Sequence, residues 1–281
     1  MSPFHDWVLS PQVAFIAMTG VTIAASSIPA GIVGSWIVVN RISYLAAAVA
    51  HAVLGGVGIG IYLRHHMGWQ WVTPFSGGLF AGVLSAWLVS EISHRFPSRS
   101  DIAISLIWTV SMAIGMIAMH LTPGYHDPAA YLFGNVLLVS RADLWITGGF
   151  GLVLSVLVRW AYPTLEMMAF DPEFAQLQGA RVRMLRTATL ALVAIAVVVM
   201  LATSGILLVI ALMTLPAATL LPHSRSLGSL MIGSCILTGI ISLAGFTLSC
   251  YVDLPTSATI VLLAAGCYLA GLGFKRRSTH G

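Results

Sequence analysis

The stretch 42-ISYLAAAVAHAVLGGVGIGIYL-63 runs for 22 residues without a charged side chain. A helix needs about 20 such residues to cross a ~30 Å hydrocarbon layer. Comparable runs recur at about 11–39, 43–63, 73–93, 101–121, 144–161, 186–203, 205–221, 227–250 and 256–273. Backbone polar groups cannot stay unpaired in lipid, so only helices and closed barrels span it. Barrel strands alternate apolar and polar residues, and these runs do not. The chain therefore reads as an all-α, polytopic transmembrane bundle of about 8–9 membrane helices, residues 1–281 forming one membrane domain. Only 8% of its residues are charged, against about 25% in soluble domains.

The first run is too long for one straight crossing, and its centre, SSIPAGIVGSW, predicts a kink or break. The seventh, 205-GILLVIALMTLPAATLLP-222, also holds an internal proline. Orientation follows from Lys and Arg. An outside N-terminus puts eleven of the thirteen basic residues at cytoplasmic ends, leaving Arg64 and Arg141 outside. The leading MSPFHDWVLSPQ lacks the positive region and cleavage site of a signal peptide, so the first membrane segment is expected to stay. Cys235, Cys250 and Cys267 sit in apolar runs at spacings that match no metal or redox motif, and read as small core residues.

Two connections stand out. Residues 122–143 lie outside yet contain the apolar run YLFGNVLLV, which suits a re-entrant or surface-lying helix. Residues 162–185 lie inside and predict a short helix, with Asp171 as N-cap, Pro172 at the first helical position, Glu173 at the positive end and Gly179 to stop or bend it. Such a helix either docks on a soluble partner or lies on the membrane as a plain connector.

His51 is the sharpest candidate. It sits a third of the way into its helix, too deep to snorkel, and an unpartnered polar group in hydrocarbon is costly. Neutral imidazole is a good ligand for transition metals, and ionisable groups inside a membrane are candidates for function. The alternative is one hydrogen bond to a carbonyl across a close Ala/Gly contact. Asp101 either caps the fourth helix or faces a pathway. His120, and His126 with Asp127, lie at the outer mouth. Glu91, His94 and His223 read as interfacial, His65 and His66 as surface, Asp253 as a cap of the last helix, and Met112 and Met116 as core. There is no Gly-rich loop with Lys-Ser or Lys-Thr, so the chain does not itself hydrolyse ATP, and no helical His-Glu-x-x-His. No basic stripe interleaved with aromatics points to nucleic acid.

The blocks NRISYLAAAVAHAVLGGVG, AYLFGNVLLVSRADLW, FDPEFAQLQGARV and SGILLVIALMTLPAATLLP, in this order over nearly the whole chain, resemble the membrane permease subunits of bacterial ABC importers for zinc, manganese and iron, the ABC-3 family. The zinc-uptake permeases look closest. The resemblance implies a multi-pass permease of the bacterial inner membrane that is not itself an enzyme and keeps no permanent cofactor. It implies a second permease copy or a paralogue, a cytoplasmic ABC ATPase subunit and an extracytoplasmic metal-binding protein. It makes residues about 170–184 a coupling helix that meets the ATPase through Asp171, Glu173, Phe174, Ala175, Gln178 and Gly179. It points to His51, Asp101 and Asn135 on the path of a divalent metal, zinc first, moved by alternating access across the dimer. Two acids of the family pattern are missing: Ala46 and Ala47 stand where a Gly-Asp pair is usual, and Asn135 follows Phe133 and Gly134 where an Asp is usual. The rival reading is a proton-coupled secondary transporter relaying through His51, Glu91 and Asp101 without an ATPase, and a third is a non-transporting scaffold or sensor.

Overall fold

The computed structural model describes residues 11–96, 100–124, 128–134 and 140–278. Its helices are α1 (Pro11–Val39), α2 (Ser43–His66), α3 (Pro74–Arg95), α4 (Ser100–Leu121), α5 (Pro128–Phe133), α6 (Arg141–Phe170), α7 (Pro172–Leu177), α8 (Val182–Leu220), α9 (Leu227–Val252) and α10 (Thr256–Ser278). A 3₁₀ turn, Leu221–His223, follows α8. Among the described residues there is no strand.

Capping chemistry sets where the apolar runs begin. Thr73 accepts from the Ser76 amide at 3.1 Å while the Thr73 amide donates to the Ser76 hydroxyl at 2.9 Å, and Pro74 follows at the first helical position. Ser140 with Asp143, and Ser226 with Ser229, form the same reciprocal box at α6 and α9. The α1–α2 turn closes differently. Arg41 is left-handed, with φ 55°, the Ile42 amide donates to Ile37 and the Arg41 amide to Val38. That bonding usually carries a glycine at the left-handed position.

Among the described residues eight segments are long and apolar enough to cross a membrane, and Thr256–Leu272 is a shorter apolar helix. Two of the eight come from α8, which is two limbs meeting at Gly205, where φ 70° and ψ 159° break the helix. The limbs run back beside each other along α1. Val193 of the first lines a small void with Ile32 and Trp36, and a methyl on Gly34 would overlap the Met213 carbonyl of the second. Elsewhere prolines do not end helices: α1 runs through Pro29 and α6 through Pro163 to Phe170. Of the kink or break expected in SSIPAGIVGSW, the break is absent, because a proline costs one backbone bond that packed neighbours can offset.

α2 lies at the centre, with 78% of its apolar stretch buried against 22% for α4 and for α6. Glycines let it approach two neighbours backbone to backbone. Gly56 and Gly60 meet α3 at Gly77, while Gly55 and Gly58 meet α4 at Ser111 and Gly115. Close small-residue contact is how helices associate where lipid competes for apolar surface. α1 and α9 pack antiparallel, with Ser35 donating to Ser234 at 3.1 Å. Cys250 is exposed rather than buried, while Cys235 and Cys267 are half-buried.

Candidate functional site

The contacts of α2 with α4 place His51. Gly55 against Ser111 and Gly58 against Gly115 give a parallel register, and it sets His51 beside Trp108. The two rings stack with centroids 4.7 Å apart and planes 12° apart. The His51 Nδ1 is shielded and takes no hydrogen bond among the described residues. The backbone-carbonyl partner of the bland reading is therefore not seen. Trp108 is 39% exposed, so the stack lies at an open edge of the bundle.

Asp101 lies on the same stripe of α4. Asp101, Ser105 and Trp108 follow at i, i+4 and i+7, and the Ser105 hydroxyl donates to the Asp101 carbonyl at 2.9 Å. Seven residues of helix put Asp101 about 10 Å along the axis from Trp108. By the same register it is level with Tyr44, at the start of α2. Asp101 is exposed in the first turn of α4 and does not meet His51. Asn135, His126 and Asp127 lie outside the described residues. Among the described residues no three His, Cys, Asp or Glu side chains gather as a metal site.

Other candidates resolve simply. His66 stacks on Tyr62 at 4.3 Å on the surface. Asp253 ends α9 in a left-handed conformation, with φ 55°, and so closes the preceding helix instead of opening the last. Met116 is 45% exposed, not core. On the outer side Gly134 and Gly205 both have φ 70°, and a Cβ on Gly134 would sit 2.5 Å from the Gly205 nitrogen. This contact fixes α5 on the turn between the limbs of α8.

At the basic end, residues 170–184 are not one helix. They comprise the last residue of α6, the six residues of α7, a turn and the start of α8. Asp171 accepts from the Phe174 amide at 2.9 Å. Gly179, with φ 85°, ends the turn, and the Ala180 amide bonds Ala175 at 2.9 Å. Ala175 is fully buried, Phe174 is 46% and Leu177 is 86% exposed. Glu173, Gln178 and Gly179 are also exposed. Glu91, read from the sequence as merely interfacial, bridges α3 to α8 through Arg183 and also holds Arg95 of its own helix.

Sequence reasoning missed Trp108, Gly205, Leu177 and the Arg183 bridge. Spacing offered a signal for the first, since Trp108 is two turns from Asp101. The others depend on which distant segments meet.

The model of the ABC 3 transport family matches residues 12–275. The chain is 33% identical over 251 residues to an uncharacterised membrane protein of Synechocystis, covering 89% of this chain and 87% of that one. It is 30% identical over 273 residues to the manganese transport system membrane protein MntC of Halalkalibacterium halodurans, covering 97% and 90%. The solved structure of PsaBC from Streptococcus pneumoniae in complex with Fab matches with a TM-score of 0.82 at 27% identity, covering 95% of this chain and 94% of that one.

Proposed function

This chain belongs to the ABC 3 transport family and is a multi-pass metal-transport permease of the bacterial inner membrane, and we propose that it passes a divalent transition-metal ion inward along the His51 face. The observation that carries the proposal is His51 itself: a shielded ring nitrogen without a partner among the described residues, held by Trp108 at an open edge deep in the membrane. Among the described residues one protomer brings no group of three ligands together to hold an ion there. A second permease copy, or a paralogue, facing that edge would bring further donors, and the ion would cross between the two halves. An extracytoplasmic metal-binding protein delivers the ion. A cytoplasmic ABC ATPase, docked on α7, switches the halves between outward and inward access. Such switching requires only two arrangements with different ion affinity. Hydrolysis belongs to that separate subunit.

Zinc is the ion we propose first. With Ala46 and Ala47 in place of the usual Gly-Asp pair, imidazole is the donor this stretch retains. Imidazole suits zinc, whereas manganese favours carboxylate and other oxygen donors. A second reading, manganese, rests on the name of the Halalkalibacterium relative. Asp101 stays on the proposed path as a donor about two turns from His51, not as its partner, and Asn135 is kept as a candidate donor on that path. The proton-relay alternative has less support, because Asp101 is two turns from His51 and Glu91 is engaged by two arginines.

The test is uptake of radiolabelled zinc and manganese by cells carrying the chain with its ATPase and binding protein, for wild type and His51→Ala. Loss of metal uptake with assembly intact supports the His51 path, and unchanged uptake places the path elsewhere. Uptake that collapses with the proton gradient while ATP is held constant favours the relay.

A further inference from the structure

A cavity of about 760 Å³ opens at the basic end, between the last two turns of α3, the α7–α8 connection and the first turns of α8. Sites for small ligands span roughly 300–1,000 Å³, so this one can take a ligand rather than a water or two. Trp87, Glu91 and His94 face it from α3 at i, i+4 and i+7, and Arg181, Arg183 and Arg186 face it from the other side. The charges do not balance. Among the described residues Glu91 is the one carboxylate lining the cavity, and it is engaged by Arg183 and by Arg95. Among the described residues neither Arg181 nor Arg186 has a carboxylate within 4.0 Å.

A guanidinium cannot relieve this by losing a proton, since it stays charged at any ordinary pH. Two free guanidiniums around one space are therefore complementary to an anion, and their donor forks match phosphate oxygens. The position narrows the source. Trp87 is 52% and Met184 is 66% exposed at this rim. Indole at a membrane protein's rim marks the headgroup level, and on the cytoplasmic side that level carries anionic phospholipids.

We propose that the cavity between α3 and the start of α8 binds a phosphate-bearing anion through Arg181 and Arg186. The phosphate comes either from the headgroup of an anionic phospholipid of the cytoplasmic leaflet or from a free phosphate in solution. Bound there, it lies beside the Glu91–Arg183 pair that joins α3 to α8, one turn of chain beyond α7, and offsets the charge of the two guanidiniums at the start of α8.

The full-length chain in nanodiscs of neutral phosphatidylcholine is titrated with phosphatidylglycerol in one arm and with inorganic phosphate in the other. Thermal unfolding and lipid retention by native mass spectrometry are read out. The wild type is expected to gain thermal stability in at least one arm. A lipid-only response identifies the headgroup, and a phosphate response identifies a soluble source. The R181Q/R186Q double variant is expected to bind about 30-fold more weakly, by the usual contribution of two basic groups near an anionic surface. R159Q, which removes an exposed arginine outside the cavity, is expected to leave binding unchanged. No response of the wild type in either arm overturns the proposal, whatever the variants do. An equal loss in R159Q overturns it too, since the lipid would then be held by general surface charge. Neither readout uses metal or ATP, so the result is independent of the transport reading.

Discussion

The imidazole of His51 and the indole of Trp108 lie face to face, with ring centroids 4.7 Å apart and planes tilted by 12°. The stack holds the imidazole in one orientation on an otherwise small-residue helix. Aromatic pairs contribute about 0.5–1.5 kcal/mol beyond their burial, roughly 2- to 13-fold in an equilibrium constant. Trp108→Ala is therefore expected to raise the metal concentration for half-maximal uptake by that factor, with Trp108→Phe close to wild type. Uptake kinetics at matched expression check it. A Trp108→Ala variant with wild-type kinetics would mean that the stack is packing alone.

The contact of Gly134 with Gly205 gives a second prediction. Each glycine is left-handed, and a Cβ on either meets the backbone of the other. A non-glycine residue at such φ costs about 1–2 kcal/mol before any clash is counted. Gly134→Ala and Gly205→Ala are each expected to lower the thermal unfolding temperature in detergent. Because they share one contact, the double variant should lose less than the sum of the two. Full additivity would show that the loop and the turn are independent.

Much of the fold was legible from the run lengths, because hydrocarbon thickness dictates them and nothing soluble imitates them. Among the described residues, eight of the nine segments expected from hydropathy are helices long and apolar enough to cross, down to the division of α8 at Gly205, and the ninth is the shorter apolar stretch Thr256–Leu272. The break that Pro29 offered is not taken, since Pro29 sits inside a continuous helix. His51 was legible as a polar group without a local partner, and its partner ring was not. Trp108 is 57 residues away, and only the glycine register between α2 and α4 brings the two together. The Glu91–Arg183 pair was hidden for the same reason, since it spans 92 residues.

The turn between α1 and α2 offers a stabilising substitution. Arg41 holds a left-handed conformation with its side chain exposed, in a bonding pattern that favours glycine. Ile37 and Ile42, both buried, supply the hydrophobic contact of that motif. Replacing Arg41 by Gly removes a strain of about 1–2 kcal/mol, partly offset by the greater freedom of an unfolded glycine. Arg41→Gly is expected to unfold at a temperature at or a few degrees above wild type, a gain of about 1 kcal/mol at most. A clear drop would show that the guanidinium makes a contact worth more than the strain.

The last prediction separates docking from packing on α7. Phe174 and Leu177 are one turn apart on the same face and are 46% and 86% exposed, while Ala175 between them is fully buried. Apolar side chains left in water on a six-residue, capped helix outside the membrane are what a partner groove would bury. The double variant Phe174→Ala/Leu177→Ala is expected to weaken co-purification of the ATPase about 30-fold or more, the loss of one strong interface anchor. Its unfolding temperature should stay at the wild-type value, because neither side chain fills the interior. Ala175→Leu should behave in the opposite way. Forcing a larger side chain into a filled site costs about 1–3 kcal/mol, so the permease itself is destabilised whether or not the ATPase is present. If both variants lower stability and neither changes co-purification, α7 is a connector that packs on its own bundle, and the ATPase must dock elsewhere.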